Sequence, residues 1–213
     1  MKYRAYRYRL YPNEEQKVLI AKHLGSCRFI YNYALAKKVK AYQVDGTNLS
    51  RFDIQADLPN MKKSDEYCWL KEVNSLSLQA SLANLDSAYT KFFREHKGFP
   101  NFKSKKDSKQ SFSIPQNTKV DFENGRVFIP KFKIGIKAKV HRTFEGIVKS
   151  STITRTSTGK YFISILVEVN KSDVPMKPIC ESKAVGIDLG IKTFAVLSDG
   201  TEIPNPKYLK QSL

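Results

Sequence analysis

MKYRAYRYRLYPNEEQKVLIAKHLGSCRFIYNYALAK (residues 1–37) contains the change of pattern that decides the fold. Over residues 1–12, Tyr6, Tyr8 and Leu10 fall on one side of an extended chain and Arg7 and Arg9 on the other. That period of two is the signature of a half-buried strand. Lys2 and Arg4 fall on the wrong side of it, and a bulge near Ala5 would repair the register. Pro12 and Asn13 stop the strand, and Glu14 and Glu15 place acids at the positive end of a helix. Val18, Ala21 and Leu24 line that helix as far as Gly25, and Cys27, Ile30, Tyr31, Ala34 and Leu35 repeat at helical spacing beyond it. The expectation is a helix, a glycine turn and a second helix, resembling a helix-turn-helix.

Working outward, Gly46 and Thr47 break the helical pattern, and a shorter helical stretch runs from Phe52 to Met61 with Pro59 inside it. Leu78, Leu82, Leu85, Tyr89 and Phe92 then recur at spacings of four and three, a stripe that reads as core. His96 to Phe112 is basic and punctuated by Gly98 and Pro100, so it reads as a loop or linker carrying Lys103, Lys105, Lys106 and Lys109. Beyond it strands dominate. Asn124-Gly125 predicts a type I′ hairpin, Gly135 to His141 a further strand, and Thr152–Arg155 with Lys160–Val169 another hairpin. Phe162, Ile163, Ile165, Leu166 and Val167 suggest a last strand buried on one side and nearly so on the other. With the strand over residues 1–12 these make a small barrel with helices inserted after its first strand. A linker (NKSDVPMKPICESK) then leads to a new strand pair, KAVGIDLG and KTFAVLSDGTEI.

Composition sets the partner class. Among 213 residues, 37 Lys and Arg stand against 20 Asp and Glu, a formal +17. A field of that size attracts polyanions, of which nucleic acid is the usual one; a ribosomal-type basic protein is the plain alternative. Hydrophobic content of 41% fits a globular chain. Cys27, Cys68 and Cys180 form no CxxC pair, so zinc is not expected and all three read as small buried hydrophobes. The N-terminus has no apolar run, and the stretch Ile163–Val167 is far short of the ~20 residues of a membrane span. A soluble, cytoplasmic protein without membrane partners is expected.

Asp188, in GIDLGIKTFAVLSDG, is the chain's sharpest chemical feature. An apolar strand bearing one Asp, then Gly190, a return strand and an Asp199-Gly200 turn, is how ribonuclease-H-like nucleases place a first metal-binding carboxylate. Two magnesium ions clamp the scissile phosphate there, about 4 Å apart, held by acids from adjacent elements. An Asp capping a local turn is the alternative. Sugar kinases and actin-like ATPases begin with a similar GIDLGT, but Ile191 stands where their Thr would be, and only 25 residues follow Asp188.

LYPNEEQK, GSCRFIYNYAL, NSLSLQASLANLDSAYTKFF, GFPNFKSKK, KQSFSIP and GIDLGIKTFAVLSDG occur in this order. That succession resembles TnpB, the OrfB-type protein of insertion-sequence transposons, related to type V CRISPR effectors. The resemblance implies an α+β fold: a wedge-type β-barrel over residues 1–12 and 101–180, an inserted helical recognition lobe over 13–100, and the first strands of a RuvC nuclease domain over 183–213. It implies a guide RNA made from the transposon end, paired with target double-stranded DNA, and a protein that reads a short adjacent motif while base pairing reads sequence. Asp188 matches the first RuvC carboxylate and is the implied magnesium ligand. Gln79, with Ser75 beside it, is placed near the adjacent-motif duplex, where an amide can pair with adenine. Arg51, Lys103, Lys105, Lys106 and Lys109 are expected on phosphates, which position but do not specify. Tyr3, Tyr6, Tyr8 and Tyr11 suit base stacking or barrel packing.

The family's second and third carboxylates and its four-cysteine zinc insert lie downstream of anything in these residues. The expectation is therefore a nucleic-acid-binding chain that does not cut alone, with exposed apolar edges at Val185, Ile187 and Phe194. It reads as part of an RNA-guided nuclease. The alternatives are a nuclease-dead RNA-guided repressor, or one subunit of a split enzyme completed by the missing RuvC half or the intact protein.

Overall fold

Strand β1 (Lys2–Tyr11) pairs with two neighbours, and every other residue of its second half is buried: Tyr8 and Leu10, each at most 1% exposed. Its register against the last strand of the sheet runs unbroken from Lys2 to Leu10, so there is no bulge at Ala5. Lys2 and Arg4 do share the face of Tyr8, but they occupy the strand's exposed first half, where that face meets water. The structure, a computed structural model, describes residues 2–169, 180, 182 and 184–211. It divides into two compact units, Met1–Lys171 and Ser172–Leu213. Most of the expected linker lies outside the described residues.

Helix α1 (Glu14–Asp45) is a single helix of 32 residues. Asn13 and Gln16 close a reciprocal capping box at its start, and Gly46, at φ 65°, ends it. The expected turn at Gly25 is absent. Ile20, Leu24, Cys27, Tyr31 and Ala34 stay in phase straight through Gly25 and are all buried. A glycine in a helix interior costs only about 1 kcal/mol, less than the burial of any one of those larger side chains. Val18 and Ala21 are exposed rather than lining the helix's packed face.

Two short helices follow, α2 (Arg51–Gln55) and α3 (Asp57–Lys63). Pro59 is tolerated because it falls in the first turn of α3, where no intrahelical partner for its nitrogen exists. A 3-10 turn at Cys68–Glu72 leads into α4 (Ser75–Glu95). Leu78, Leu82 and Leu85 of α4 are buried, and Tyr89 and Phe92 half-buried, as the stripe predicts. α1 and α4 pack on each other and against the sheet's edge strand β2 (Lys109–Ile114).

The remaining strands of this unit are β3 (Lys119–Asp121), β4 (Arg126–Phe128), β5 (Ile136–Lys139), β6 (Ile147–Thr156) and β7 (Tyr161–Val169). All pairs are antiparallel, in the order β2-β6-β7-β1-β5-β4-β3. The sheet is open: among the described residues β2 and β3 do not pair, so the hydrogen-bonded ladder does not close a barrel. β7 alternates strictly. Tyr161, Ile163, Ile165, Val167 and Val169 are buried, while Leu166, expected near the core, is 37% exposed. The β3–β4 hairpin forms, but around a four-residue loop, residues 122–125. Gly125 alone is left-handed (φ 59°), and the Asp121 carboxylate holds Asn124 by its backbone and side-chain nitrogens, which disfavours the two-residue I′ turn. β6 carries a register shift between Val148 and Ser150. Gly146 precedes it at φ 134°, so close to the Glu168 carbonyl that an added Cβ would lie 2.2 Å from its oxygen.

The second unit is a three-stranded antiparallel sheet, β10-β9-β8, built from β8 (Ile187–Leu189), β9 (Thr193–Leu197) and β10 (Glu202–Pro204), followed by a short helix α5 (Tyr208–Gln211). Val185, Ile187 and Phe194 are exposed, as expected, and so are Leu189 and Ile191. No helix among the described residues is long and apolar enough to cross a membrane.

Candidate nucleic-acid interface

Residues opposite one another across antiparallel strands share a face. The register therefore assembles one outer face on the seven-stranded sheet. Arg9 stands between Phe162 of β7 and Lys139 of β5, Arg7 beside Ser164, Tyr11 beside Lys137, and Lys137 beside Arg126 of β4. The Arg7 guanidinium lies 4.2 Å above the Phe162 ring and that of Arg9 5.1 Å from the same ring. Stacking of this kind fixes a guanidinium's plane while leaving its donors free. The Arg9 Nε is buried without a partner. Asp121 and Glu168 are the acids on these strands' outer positions, and Glu168 is already paired with Lys149. The sequence reading placed Arg7 and Arg9 on one face but did not find their partners. The signal was available in the Lys-Ala-Lys alternation of β5 and in Phe162, yet only the register shows that these meet.

The basic loop before β2 is held in place by a pair of hydrogen bonds. The Asn32 carboxamide accepts from the Lys103 backbone N–H (2.8 Å) and donates to the Lys103 carbonyl (3.0 Å). Although Lys103 as a residue is exposed, its ammonium sits 4.0 Å from the centre of the Tyr31 ring, and desolvation there lowers its pKa. Lys103 and Lys109 come together with Arg28, Ser81 and Asn84 around a cavity of about 150 Å³, in which Asp107 is the acidic group. Arg28 was not singled out from sequence, since nothing in the helical pattern marks it. Lys105 and Lys106 are exposed and do not line this cavity. Cys27 also lines it, with its thiol pKa pushed up to about 11 by burial, so it is an inert core thiol. Cys68 and Cys180, expected to be buried, are exposed; Cys68 opens the 3-10 turn that leads into α4.

Ser75 and Gln79 lie in the first turns of α4, whose position depends on His23. His23 is 1% exposed and stacked on Phe112. Its Nδ1–H donates to the Leu19 carbonyl (2.8 Å) and its Nε2 accepts the Asn74 backbone N–H (3.0 Å). That pair of roles fits the neutral ring, and burial lowers the pKa accordingly. Lys62 donates to the Ser75 hydroxyl (2.6 Å). Its pKa is lowered by desolvation first and by nearby Lys131 second. Ser75 is thus an exposed hydroxyl already engaged with a cation, and Gln79 is half-buried one turn on. Arg51 lies elsewhere, at the start of α2, with its guanidinium 4.7 Å over the Phe52 ring. The structure therefore brings Lys103 and Lys109 together, and Ser75 with Gln79. It does not bring these pairs to one place with Arg51.

Asp188 is the middle residue of β8, opposite Val196, and it is exposed. Among the described residues no group of three His, Cys, Asp or Glu side chains could hold a metal ion. One exposed carboxylate does not fit a two-magnesium site, so no metal-dependent step follows from these residues.

The family model HTH_OrfB_IS605, described as a helix-turn-helix domain, matches residues 1–47. In the structure those residues are β1, the continuous helix α1 and its cap. The chain is 36% identical over 197 residues to the protein of Escherichia coli (strain K12) named as the RNA-guided DNA endonuclease InsQ, covering 92% of this chain and 48% of that protein. It is 31% identical over 207 residues to a Streptomyces pristinaespiralis protein also named as an RNA-guided DNA endonuclease, covering 96% and 50%. A Salmonella dublin protein named virulence protein VsdF is 37% identical over 105 residues, 45% of this chain and 88% of that one. Among solved structures, one chain of a Cas12f1–sgRNA–target DNA complex aligns with all of this chain and 59% of its own length, at a TM-score of 0.39 and 11% identity. A likeness that weak decides nothing about ligands.

Proposed function

Because this chain belongs to the TnpB (OrfB-type) family and spans about half the length of the two endonuclease-named relatives it matches, we propose that it is the nucleic-acid-holding part of an RNA-guided DNA endonuclease. In this reading the open sheet and its flanking loop, residues 1–12 and 101–180, form the wedge-type unit and bind a guide RNA from the transposon end. The helical insert, residues 13–100, is the recognition lobe, with Ser75 and Gln79 toward the target-adjacent duplex. Residues 183–213 begin the RuvC unit, with Asp188 as one carboxylate of a magnesium site whose other ligands are not among the described residues.

The observation that carries the proposal is the outer face of the sheet: two exposed or half-exposed arginines stacked on Phe162, continued by Lys139, Lys137 and Arg126. A set of cations alone is a solvated surface; cations oriented on an aromatic ring, on a sheet face with few acids, suit the backbone and bases of a nucleic-acid strand. The cavity holding Arg28, Lys103 and Lys109 adds a phosphate-sized, polar pocket in the same unit.

The test is fluorescence anisotropy of a labelled RNA copying the transposon end, titrated between low and high salt. Affinity falls steeply with salt because each neutralised phosphate releases counterions. Replacing Arg7 and Arg9 by glutamate weakens binding by about tenfold or more and flattens that slope by roughly two contacts. Affinity independent of salt, or untouched by the double replacement, overturns the assignment of this face.

A further inference from the structure

At one end of the helical insert, the last turns of α1 and α4 and the segments after them enclose a cavity of about 780 Å³, within the usual range for ligand sites of about 300–1,000 Å³. Its walls are aromatic. Tyr89 and Phe92 each meet Phe99 edge-on, at 5.6 and 5.4 Å between ring centres, and Tyr89 stacks on Phe93 at 6.3 Å. Rings so arranged inside a core would be shut away from water. These are open: Tyr42 is 69% exposed, Phe93 67% and Phe99 47%. An adjoining hollow shares Lys38, Asn48 and Asp86 with the cavity and adds Arg51 and the exposed ring of Phe52. An apolar patch of this kind on a soluble surface marks a binding site.

The rim selects the occupant. Lys38 and Arg94 line the cavity and Arg51 the hollow, against one acid, Asp86. Lys38 is fixed there, 5.3 Å from the Tyr89 ring and donating to the Leu49 carbonyl. Gln43 and Asn48 add two carboxamides to the lining. An apolar peptide would answer the rings and leave three cations and two amides unmatched; a bare phosphate would do the reverse. A nucleotide answers all of them, with its base face on an aromatic ring, its base edge on an amide and its phosphates on the cations.

We propose that this cavity receives an unpaired nucleobase of a bound nucleic-acid strand. The proposal rests on the reading of the chain as a nucleic-acid binder and adds a second, separate contact remote in sequence from the sheet face. A base inside a duplex offers no free face, so the cavity selects strand ends, loops and flipped nucleotides over continuous duplex.

The experiment uses the full 213-residue chain and a duplex with a single-stranded overhang carrying 2-aminopurine, in RNA and DNA versions, beside a blunt duplex of the same sequence. The overhang form is bound more tightly than the blunt one, and the probe's fluorescence is quenched by stacking. Phe93→Ala and Tyr42→Ala each lose about tenfold in overhang affinity and leave blunt-duplex affinity unchanged, whereas Phe93→Trp retains the preference. Both rings are largely exposed, so the variants keep the fold, which circular dichroism checks. Quenching by the RNA or by the DNA overhang supports the site and says which strand fills it. Equal binding of overhang and blunt forms without quenching overturns the cavity proposal while leaving nucleic-acid binding standing. Failure to bind either form overturns both, and the rings then belong to a protein contact.

Discussion

Strands β7 and β8 are both apolar runs in antiparallel sheets, yet they meet opposite fates. In β7 every second residue is at most 9% exposed. In β8 the flanking pair Ile187 and Leu189 are 64% and 70% exposed, and in the whole second unit Ala195 is the buried hydrophobic residue among those described. The difference lies outside the strands. β7 sits in mid-sheet, between β1 and β6, with its inner face against a core that α1 and α4 complete. β8 has a neighbour on one side only, and nothing among the described residues of its own unit layers over it. An apolar strand does not bury itself; a second layer must do so.

That contrast predicts the largest effect. Ile163→Ala, at a position fully buried in β7, costs about 2–5 kcal/mol through lost burial and the cavity left behind. Ile187→Ala, a similar change on a similar strand, stays within about 0.5 kcal/mol. Denaturant midpoints followed by far-ultraviolet circular dichroism measure both. A loss at Ile187 as large as at Ile163 would mean the second sheet has a core of its own.

The same comparison explains what was legible in the sequence. Period and punctuation located the first strand, the α4 stripe, the two hairpins and the β8–β9 strand pair, because each depends on neighbours in the chain; β10, expected only as the tail of β9, is a separate third strand. What failed depended on competition or on distant partners. Gly25 looked like a turn only while its local cost was weighed without the packed phase on both sides of it. Sheet closure was expected from strand count, whereas it depends on a β2–β3 pairing that no local pattern encodes. Among candidate site residues, Lys103 and Lys109 were visible as charges, but Asn32, Tyr31 and Arg28, which give that loop its place and its pocket, are specified by contacts far along the chain, that of Asn32 with Lys103 spanning 71 residues.

A second prediction concerns the link between the helical insert and its neighbours. His23 joins α1 to the start of α4, and its ring is neutral in that role. Its folded pKa lies below the ordinary value of about 6.5. The unfolded chain therefore takes up the proton first as pH falls, and unfolding is favoured. Stability from this group is fully present above about pH 6.5 and is lost progressively below it, toward the lower folded pKa. His23→Gln, which can supply one donor and one acceptor without titrating, removes this part of the pH dependence. Unfolding measured at several pH values between neutral and mildly acid compares the two. An unchanged profile in the variant would assign the dependence to other groups.

The smallest effect has the most informative sign. Gly25→Ala places a methyl where nothing lies within 4 Å, in the middle of a helix whose backbone there needs no special φ. Alanine is favoured over glycine in such a position by about 0.5–1 kcal/mol, through reduced freedom of the unfolded chain and better helix propensity. The variant is therefore slightly more stable and keeps its nucleic-acid affinity. A helix-turn-helix over residues 14–45 would require the opposite, since a turn at Gly25 with positive φ would be strained by any Cβ. Thermal unfolding of this one variant separates the continuous helix from the broken one, and a lowered midpoint would mean that the chain turns at Gly25 after all.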